Sequence, residues 1–317
     1  MKRRTLLTAT AATATAFAAT GPTARAAAPT ARGRVRENLA MPSSVLGTDV
    51  LYSLYLPPGS TDDGRHDGER ALPVLYLHHG SGDDNTAWLR KGDAGAILDE
   101  AIARRDVPPI AVVMPDARRD MTRPPGGQYL TYHMNDADGS HRYADMFTEE
   151  FVPFVEDLHR VGGAPGRRCV GGLSMGGFGS LSYALRHPDT FAAAFALSAG
   201  FRTDEQVVAL DMDGYNRRYG RAWGENLEGE ARLNDLYRSW NLLDAIACTP
   251  ADVLSRTAWF LDCGAYDGLF EGNAALHIAL TRKGVPHRFM SREGGHDWAY
   301  WTSGLPAALA FLADHLD

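Results

Sequence analysis

The residues best suited to chemistry lie in a glycine-rich stretch near the middle of the chain. The pattern G-x-S-x-G is met by Gly172-Leu173-Ser174-Met175-Gly176, between a short strand-like run at 168–170 and a helical pattern at 178–186. This arrangement is typical of a nucleophile elbow, a strand–turn–helix that raises a serine hydroxyl above the edge of a sheet. The N-terminus of the following helix favours negative charge. The sequence therefore predicts that Ser174 is the nucleophile of an acyl-transfer reaction.

A serine hydroxyl attacks poorly until a base takes its proton and an acid orients that base. Among eleven histidines, His296 is the candidate base, because it lies in a glycine-containing loop before the last helical pattern. Asp267 is the candidate acid, since it follows a predicted strand at 259–263 by a few residues. Asp262 is the alternative, but it falls within the strand and is expected to point along the sheet. The order Ser174, Asp267, His296 is that of α/β-hydrolases.

Two backbone N–H groups facing the oxygen of the tetrahedral intermediate would complete such a site. The first is expected at Met175, directly after the serine. The second is expected at Ser81, in the loop His78-His79-Gly80-Ser81-Gly82 that follows the apolar run 72–77. The alternative for this loop is a glycine-rich turn without a catalytic role.

The elements that must position these residues are apolar runs alternating with amphipathic stretches. Strands are predicted at 45–56, 72–77, 110–114, 168–170, 191–199, 259–263 and 287–290. Helices are predicted at 88–104, 143–160, 178–186, 269–283 and in the leucine-rich stretch 305–316. This alternation predicts a mainly parallel sheet with helices on both faces. Pro153 lies inside the second helical pattern and predicts a kink there.

Residues 200–249 break the alternation and predict a mostly helical, lid-like excursion over the active site. Five aromatic residues stand there among charges: Tyr215, Tyr219, Trp223, Tyr237 and Trp240. Because aromatic-lined concavities suit acyl chains and sugar rings, we expect these residues to shape substrate choice. The alternative is that they fold the excursion onto the sheet.

Composition restricts the class of protein. The chain has 317 residues, 44% of them hydrophobic, which is enough for one large catalytic domain at 42–317. No run of eighteen apolar residues follows the first 26, so no membrane insertion is expected. The formal charge is −7 and no basic patch is present, which argues against nucleic acid as a partner.

Cofactor and metal signals are weak. The three cysteines, Cys169, Cys248 and Cys263, include no C-x-x-C pair, and two of them fall in predicted core strands. The segment Asp211-Met212-Asp213-Gly214 resembles the start of a calcium loop, but its downstream glutamate is missing. It is better explained as a solvated acidic turn. No cofactor and no metal are predicted.

The N-terminus is typical of an export signal over residues 1–26. Lys2, Arg3 and Arg4 precede an Ala/Thr/Leu-rich run, and Ala24-Arg25-Ala26 offers a small-x-small cleavage site. The arginine pair followed by Thr5-Leu6-Leu7 favours the twin-arginine route, with general secretion as the alternative. Removal of the four basic residues would change the charge from −7 to −11. Residues 27–41 are expected to be a linker.

With these residues identified, the chain resembles the putative-esterase family of α/β-hydrolases. This family includes esterase D-like S-formylglutathione hydrolases, bacterial feruloyl and acetyl-xylan esterases, and cell-envelope mycolyltransferases. The resemblance covers about residues 42–316. It rests on the motifs Leu54-Tyr-Leu-Pro-Pro, Leu77-His-His-Gly, Tyr143 through Glu150 to Pro153, Gly172-Leu-Ser-Met-Gly-Gly, Arg186-His-Pro, Asp262-Cys-Gly-Ala-Tyr-Asp267 and Gly295-His-Asp-Trp-Ala-Tyr-Trp301. It implies nucleophile Ser174, acid Asp267, base His296, and oxyanion amides at Ser81 and Met175.

Two departures from the family narrow the expected function. Mycolyltransferases usually have alanine at the position of Gly176, and an export signal argues against a cytosolic thioester hydrolase. We therefore expect a secreted serine carboxylic-ester hydrolase that acts on small-molecule or carbohydrate esters through an acyl-enzyme. An acyltransferase of the mycolyltransferase type, using the same triad, is the alternative.

Overall fold

A computed structural model describes residues 31–61, 66, 71–122, 124–125 and 130–317. The predicted export signal and most of the loop 60–70 lie outside the described residues. Eight strands form one sheet: β1 (Arg34–Ser43), β2 (Thr48–Leu56), β3 (Val74–His78), β4 (Ala111–Pro115), β5 (Arg168–Leu173), β6 (Ala193–Leu197), β7 (Ala258–Asp262) and β8 (His287–Met290). Their order across the sheet is β1-β2-β4-β3-β5-β6-β7-β8.

The sheet is parallel from β4 to β8, while β1 and β2 form an antiparallel edge next to β4. All residues of β3, β4 and β6 are buried, as strands covered on both faces require. Two apolar layers form the core, one on each face of the sheet. The predicted α/β-hydrolase fold is therefore confirmed.

The helices cover both faces and differ in length. The longer ones are α2 (Ala94–Arg104), α4 (Val152–His159), α5 (Met175–Arg186), α12 (Phe270–Lys283) and α13 (Trp298–Ala313). The short ones are α1 (Ala87–Arg90), α3 (Tyr143–Asp145), α6 (Asp204–Val208), α7 (Met212–Tyr215), α8 (Arg221–Trp223), α9 (Asp235–Trp240), α10 (Leu242–Cys248) and α11 (Ala251–Leu254). Helices α6 to α10 form the predicted excursion at 200–249. No helix in the described ranges is long and apolar enough to cross a membrane.

The prediction of a linker at 27–41 is wrong for residues 34–41, which belong to β1. Strand β1 is an edge strand, and its first residues are mostly exposed and charged. In sequence such a stretch resembles a linker. The pairing with β2 also shifts register between Arg36 and Leu39, and Asn38 has a φ of 57°. This bulge interrupts the alternation of apolar residues by which a strand is recognised in sequence.

The predicted helix at 88–104 is divided into α1 and α2. The division occurs at Gly92 and Asp93, and Asp93 has a φ of 49°. A Cβ on Gly92 would lie 2.8 Å from the Trp298 ring. Close packing against α13 therefore requires glycine here, and glycine weakens a helix.

The helix predicted at 143–160 is continuous in space, but Met146–Phe151 adopts π-helical hydrogen bonding. Pro153 follows at the start of α4. A proline inside an α-helix removes one hydrogen bond and clashes with the carbonyl four residues earlier. The sequence predicted a kink at Pro153, and the structure has a wider π turn directly before this residue.

Candidate active site

Ser174 lies in the tight turn between β5 and α5. Its φ of 50° and ψ of −119° are strained for a residue with a side chain. The turn is closed by glycines: a Cβ on Gly172 would lie 2.6 Å from the His78 carbonyl oxygen, and one on Gly176 would lie 2.5 Å from that of His79. The loop after β3 thus packs directly on the turn, and the turn presents the Ser174 hydroxyl at the N-terminus of α5.

His296 lies between Ser174 and Asp267, within hydrogen-bond distance of both. Its Nε2 atom is 2.9 Å from Ser174 Oγ, and its Nδ1 atom is 2.8 Å from Asp267 Oδ2. The other carboxylate oxygen of Asp267 accepts a hydrogen bond of 2.8 Å from the Leu269 amide. The structure therefore brings together the three residues that the sequence analysis singled out, although Ser174 and His296 are 122 residues apart.

Backbone contacts between two loops set this geometry. The loop after β7 carries Asp267, and the loop after β8 carries His296. Tyr266 donates its amide hydrogen to the Gly294 carbonyl at 3.0 Å, and Ala265 donates to the Arg292 carbonyl at 2.9 Å. A Cβ on Gly264 would lie 2.5 Å from the Gly294 oxygen, so the loops touch along their backbones.

The Asp267 carboxylate is kept ionised. Burial raises its pKa, but hydrogen bonds from His296 and from the Leu269 amide lower it by more, so the net shift is downward. An ionised carboxylate at Nδ1 fixes the imidazole tautomer in which Nε2 can accept a proton. The imidazole also packs edge-on against Trp301, with ring centroids 4.9 Å apart.

Asp262, the alternative acid, lies in a separate network. Its side chain is fully buried and accepts hydrogen bonds from Arg292 Nη2, at 2.8 Å, and from the Tyr300 hydroxyl. Arg292 and Tyr300 flank His296 in sequence, and the sequence analysis did not single them out. Asp297 caps α13 by accepting from the Tyr300 amide at 2.9 Å. These contacts hold the histidine loop without touching the imidazole.

The two predicted oxyanion amides belong to the helix and to the loop that adjoin Ser174. Met175 is the first residue of α5, so its N–H has no acceptor within the helix. Ser81 follows Gly80, on which a Cβ would lie 3.4 Å from Ser174 Cβ. Ser81 also lines the cavity that contains Ser174. The Met175 amide thus adjoins the serine in the chain, and Ser81 lies at the same cavity.

A cavity of about 400 Å³ surrounds the Ser174 hydroxyl. Ser81, Asp267 and His296 line it, as predicted for residues of one site. Two arginines that the sequence analysis missed, Arg202 and Arg218, line it too. Their sequence context is that of ordinary surface arginines, so only the three-dimensional structure identifies them.

The five aromatic residues of the excursion are buried and do not line this cavity. None exposes more than 7% of its surface. Trp223 stacks on Tyr219, with ring centroids 4.0 Å apart, and meets Tyr237 edge-on at 4.9 Å. This packing supports the structural alternative for these side chains, and the excursion reaches the cavity through its two arginines.

The cysteine and metal signals have structural explanations. Cys169 and Cys263 are buried, and burial raises the pKa of each thiol to about 12. Asp211 caps α7 by accepting from the Gly214 amide at 2.6 Å. Within the described ranges, no group of three or more metal-ligating side chains lies together.

Comparisons with known proteins show similarity to esterases. A family model described as putative esterase matches residues 43–312. An acetyl esterase of Caldicellulosiruptor saccharolyticus is 24% identical over 243 residues, covering 76% of this chain and 84% of that protein. An esterase of Mycobacterium tuberculosis is 29% identical over 276 residues, covering 80% of this chain but only 54% of that protein.

The structure is also similar to solved esterase structures. A ferulic acid esterase superposes with a TM-score of 0.74 at 29% identity, covering 90% of this chain and 99% of that one. The Mycobacterium tuberculosis protein MPT51 superposes with a TM-score of 0.61 at 17% identity, which shows the shared fold. The family match covers most of the sheet and every residue of the site. The chain therefore belongs to the putative esterase family and is a carboxylic ester hydrolase with the α/β-hydrolase fold.

Proposed function

We propose that this protein is a secreted serine esterase that works through an acyl-enzyme at Ser174. The observation that carries the proposal is the pair of contacts on His296, 2.9 Å to the serine hydroxyl and 2.8 Å to the Asp267 carboxylate. A nucleophile, a base and an orienting acid in this geometry are what acyl transfer requires. The family membership supports the same chemistry.

In the acylation step, His296 Nε2 takes the hydroxyl proton while Ser174 Oγ attacks the ester carbonyl carbon. The carbonyl oxygen becomes an oxyanion, and the amides of Ser81 and Met175 donate hydrogen bonds to it. Asp267 stabilises the imidazolium that forms. His296 then gives its proton to the alcohol oxygen, the carbon–oxygen bond breaks, and the acyl group remains on the serine.

In the deacylation step, water replaces the alcohol as the reacting partner. His296 takes a proton from water, whose oxygen attacks the acyl carbon, and the resulting oxyanion uses the same two amides. Its collapse returns the proton to Ser174 and releases the carboxylic acid. The side chain of His296 is 35% exposed, so water can reach it at the cavity.

Trapping the covalent intermediate tests this proposal. The protein is mixed with excess p-nitrophenyl acetate, quenched with acid during the burst, and digested for mass spectrometry. The expected result is one acetyl group on the peptide that contains Ser174. A burst with the acetyl group on another residue contradicts the assignment.

The fate of the acyl group distinguishes hydrolysis from transfer. Small and carbohydrate esters are the proposed substrates, in keeping with the acetyl and ferulic acid esterases that the chain resembles. An acyltransferase would pass the acyl group to an added alcohol or sugar in preference to water. We expect the free acid as the main product even with added alcohol; a predominant transfer product contradicts hydrolysis.

The proposed secretion rests on the N-terminal pattern, which lies outside the described residues. Three basic residues, an Ala/Thr/Leu-rich run and a small-x-small site within residues 1–26 support it. N-terminal sequencing of the protein from culture medium should give a chain that begins at residue 27. An intracellular protein that retains Met1 contradicts export.

A further inference from the structure

Two arginines line the active-site cavity. Arg202 follows β6 by five residues, and Arg218 lies in the π-helical stretch Asn216–Gly220. Both line the cavity that contains Ser174 and His296. Neither has a part in the mechanism described above, so their role needs a separate explanation.

The recorded hydrogen bonds of these guanidinium groups are to neutral acceptors. Arg202 Nη1 donates to the Tyr219 hydroxyl at 3.0 Å, and Arg218 Nη1 donates to the Gly214 carbonyl at 2.9 Å. Within the described part of the chain, neither forms an ion pair with a carboxylate. The neighbouring Arg217, in contrast, pairs with Asp213.

The carboxylates that line the cavity are engaged elsewhere. Asp83 pairs with the Lys91 ammonium and is 7% exposed. Asp267 is 5% exposed and accepts hydrogen bonds from His296 and from the Leu269 amide. Two half-buried arginines therefore line the cavity, and neither is paired with a carboxylate of the described residues, although a charged group removed from water is normally paired.

We propose that Arg202 and Arg218 bind a carboxylate of the substrate, so that this enzyme acts on esters with a negatively charged group in the acyl or the alcohol part. This inference rests on the proposed esterase function. A guanidinium offers five donors in a planar fork that matches a carboxylate, and it keeps its charge at every relevant pH. A cavity of about 400 Å³ can hold the reacting ester and such a group together.

Matched pairs of substrates test the proposal, and their two arms distinguish the side that carries the charge. The acyl arm compares 4-nitrophenyl 4-carboxybenzoate with the neutral 4-nitrophenyl 4-carbamoylbenzoate. The alcohol arm compares 4-acetoxybenzoate with 4-acetoxybenzamide. In each arm the measured quantity is the ratio of kcat/KM for the acid to that for the amide, at low and high salt.

The wild-type protein is expected to prefer the acid in at least one arm, and high salt should weaken the preference. Arg202→Gln and Arg218→Gln should each lower the ratio by about tenfold or more, mainly through a higher KM, since each removes a hydrogen bond to a charged group. Arg202→Lys should retain part of the preference. Arg217→Gln is the control and should leave the ratio unchanged.

Two results overturn the proposal: a wild-type ratio of one or less in both arms, or a ratio that neither glutamine variant changes. Thermal unfolding of each variant excludes misfolding as the cause of a loss, and a wild-type ratio of one or less in both arms overturns the proposal even if a variant does not fold. Hydrolysis of the ester bond in the two neutral, carbamoyl-substituted substrates tests the proposed esterase function separately. If Ser174→Ala loses this activity but the wild-type protein shows no preference for acids, the esterase function is retained. Only the role of the two arginines is then rejected.

Discussion

At the scale of single residues, the polar groups near Ser174 fall into two networks with different tasks. Asp267 contacts His296, whereas Asp262 contacts Arg292 and Tyr300 in the loop and helix that carry it. The first network could be predicted from the sequence, because Ser174, Asp267 and His296 each follow a strand that the sequence pattern predicts. The second network could not be predicted, since its partners are linked only by tertiary contacts.

The two aspartates give the first prediction. Asp267→Asn should lower kcat by about 10⁴, because an amide cannot hold the required tautomer of His296 or stabilise its imidazolium. Asp262→Asn should lower kcat much less and instead reduce the free energy of unfolding by about 2 kcal/mol, since Arg292 loses a charged partner. Steady-state kinetics and urea unfolding of both variants measure the difference. Equal losses of kcat at matched folded fractions contradict the assignment of Asp267.

A second prediction concerns His78, which is fully buried beneath the serine turn. Neither of its ring nitrogens has a hydrogen-bond partner among the described residues, and it packs against His133, with ring centroids 4.6 Å apart. Burial, aided by the charge of His79, lowers the pKa of His78 to about 3. The unfolded chain therefore binds this proton below about pH 6.5 while the folded protein does not, so stability falls as the pH falls towards 3.

His78→Leu, whose side chain cannot be protonated, should reduce this acid sensitivity. Between about pH 6 and pH 4, the slope of the free energy of unfolding against pH should decrease by about 1.4 kcal/mol per pH unit. Urea unfolding at several pH values measures both slopes. If they are equal, His78 is not held neutral in the folded protein.

At the scale of elements, the accuracy of the sequence analysis follows the strength of the local pattern. Continuous apolar runs predicted β3, β4, β6 and β7, because strands buried on both faces leave no other pattern. Strand β1 was missed because its bulge and exposed charges remove the alternation. The break between α1 and α2 was missed because it depends on the contact between Gly92 and Trp298, which are distant in sequence.

The excursion at 200–249 gives the third prediction. Trp223 is 4% exposed and contacts Tyr219 and Tyr237, so Trp223→Ala should reduce the free energy of unfolding by about 3–5 kcal/mol. Among folded molecules, the ratio of kcat/KM for a short acetyl ester to that for a bulky aryl ester should remain within about threefold, less than 1 kcal/mol of discrimination. Leu236→Ala, at a position 40% exposed, is the control for stability. A tenfold change in that ratio for folded Trp223→Ala would instead support the original expectation that the aromatic residues determine substrate choice.

At the scale of the whole molecule, the site forms where loops from four parallel strands meet. Ser174 follows β5, Asp267 follows β7, His296 follows β8, and Ser81 follows β3. Open α/β sheets bind their ligands at the carboxyl ends of their strands, so the order of strands is enough to predict the location of the site. The strand order is not enough to predict the charge of the cavity. Arg202 and Arg218 belong to the excursion at 200–249, and no rule of strand order predicts which of its side chains line the cavity.

Ester hydrolysis by Ser174→Ala tests most sharply whether Ser174 is the nucleophile. A loss of about 10⁶ in kcat with p-nitrophenyl acetate is expected, because Ser174 provides the attacking oxygen. Ser182→Ala, a buried serine on the same helix α5, is the matched control and should keep its activity and fold. Circular dichroism and thermal unfolding confirm that both variants are folded. More than a few per cent of wild-type activity in Ser174→Ala, with contaminating esterase excluded, shows that Ser174 is not the nucleophile.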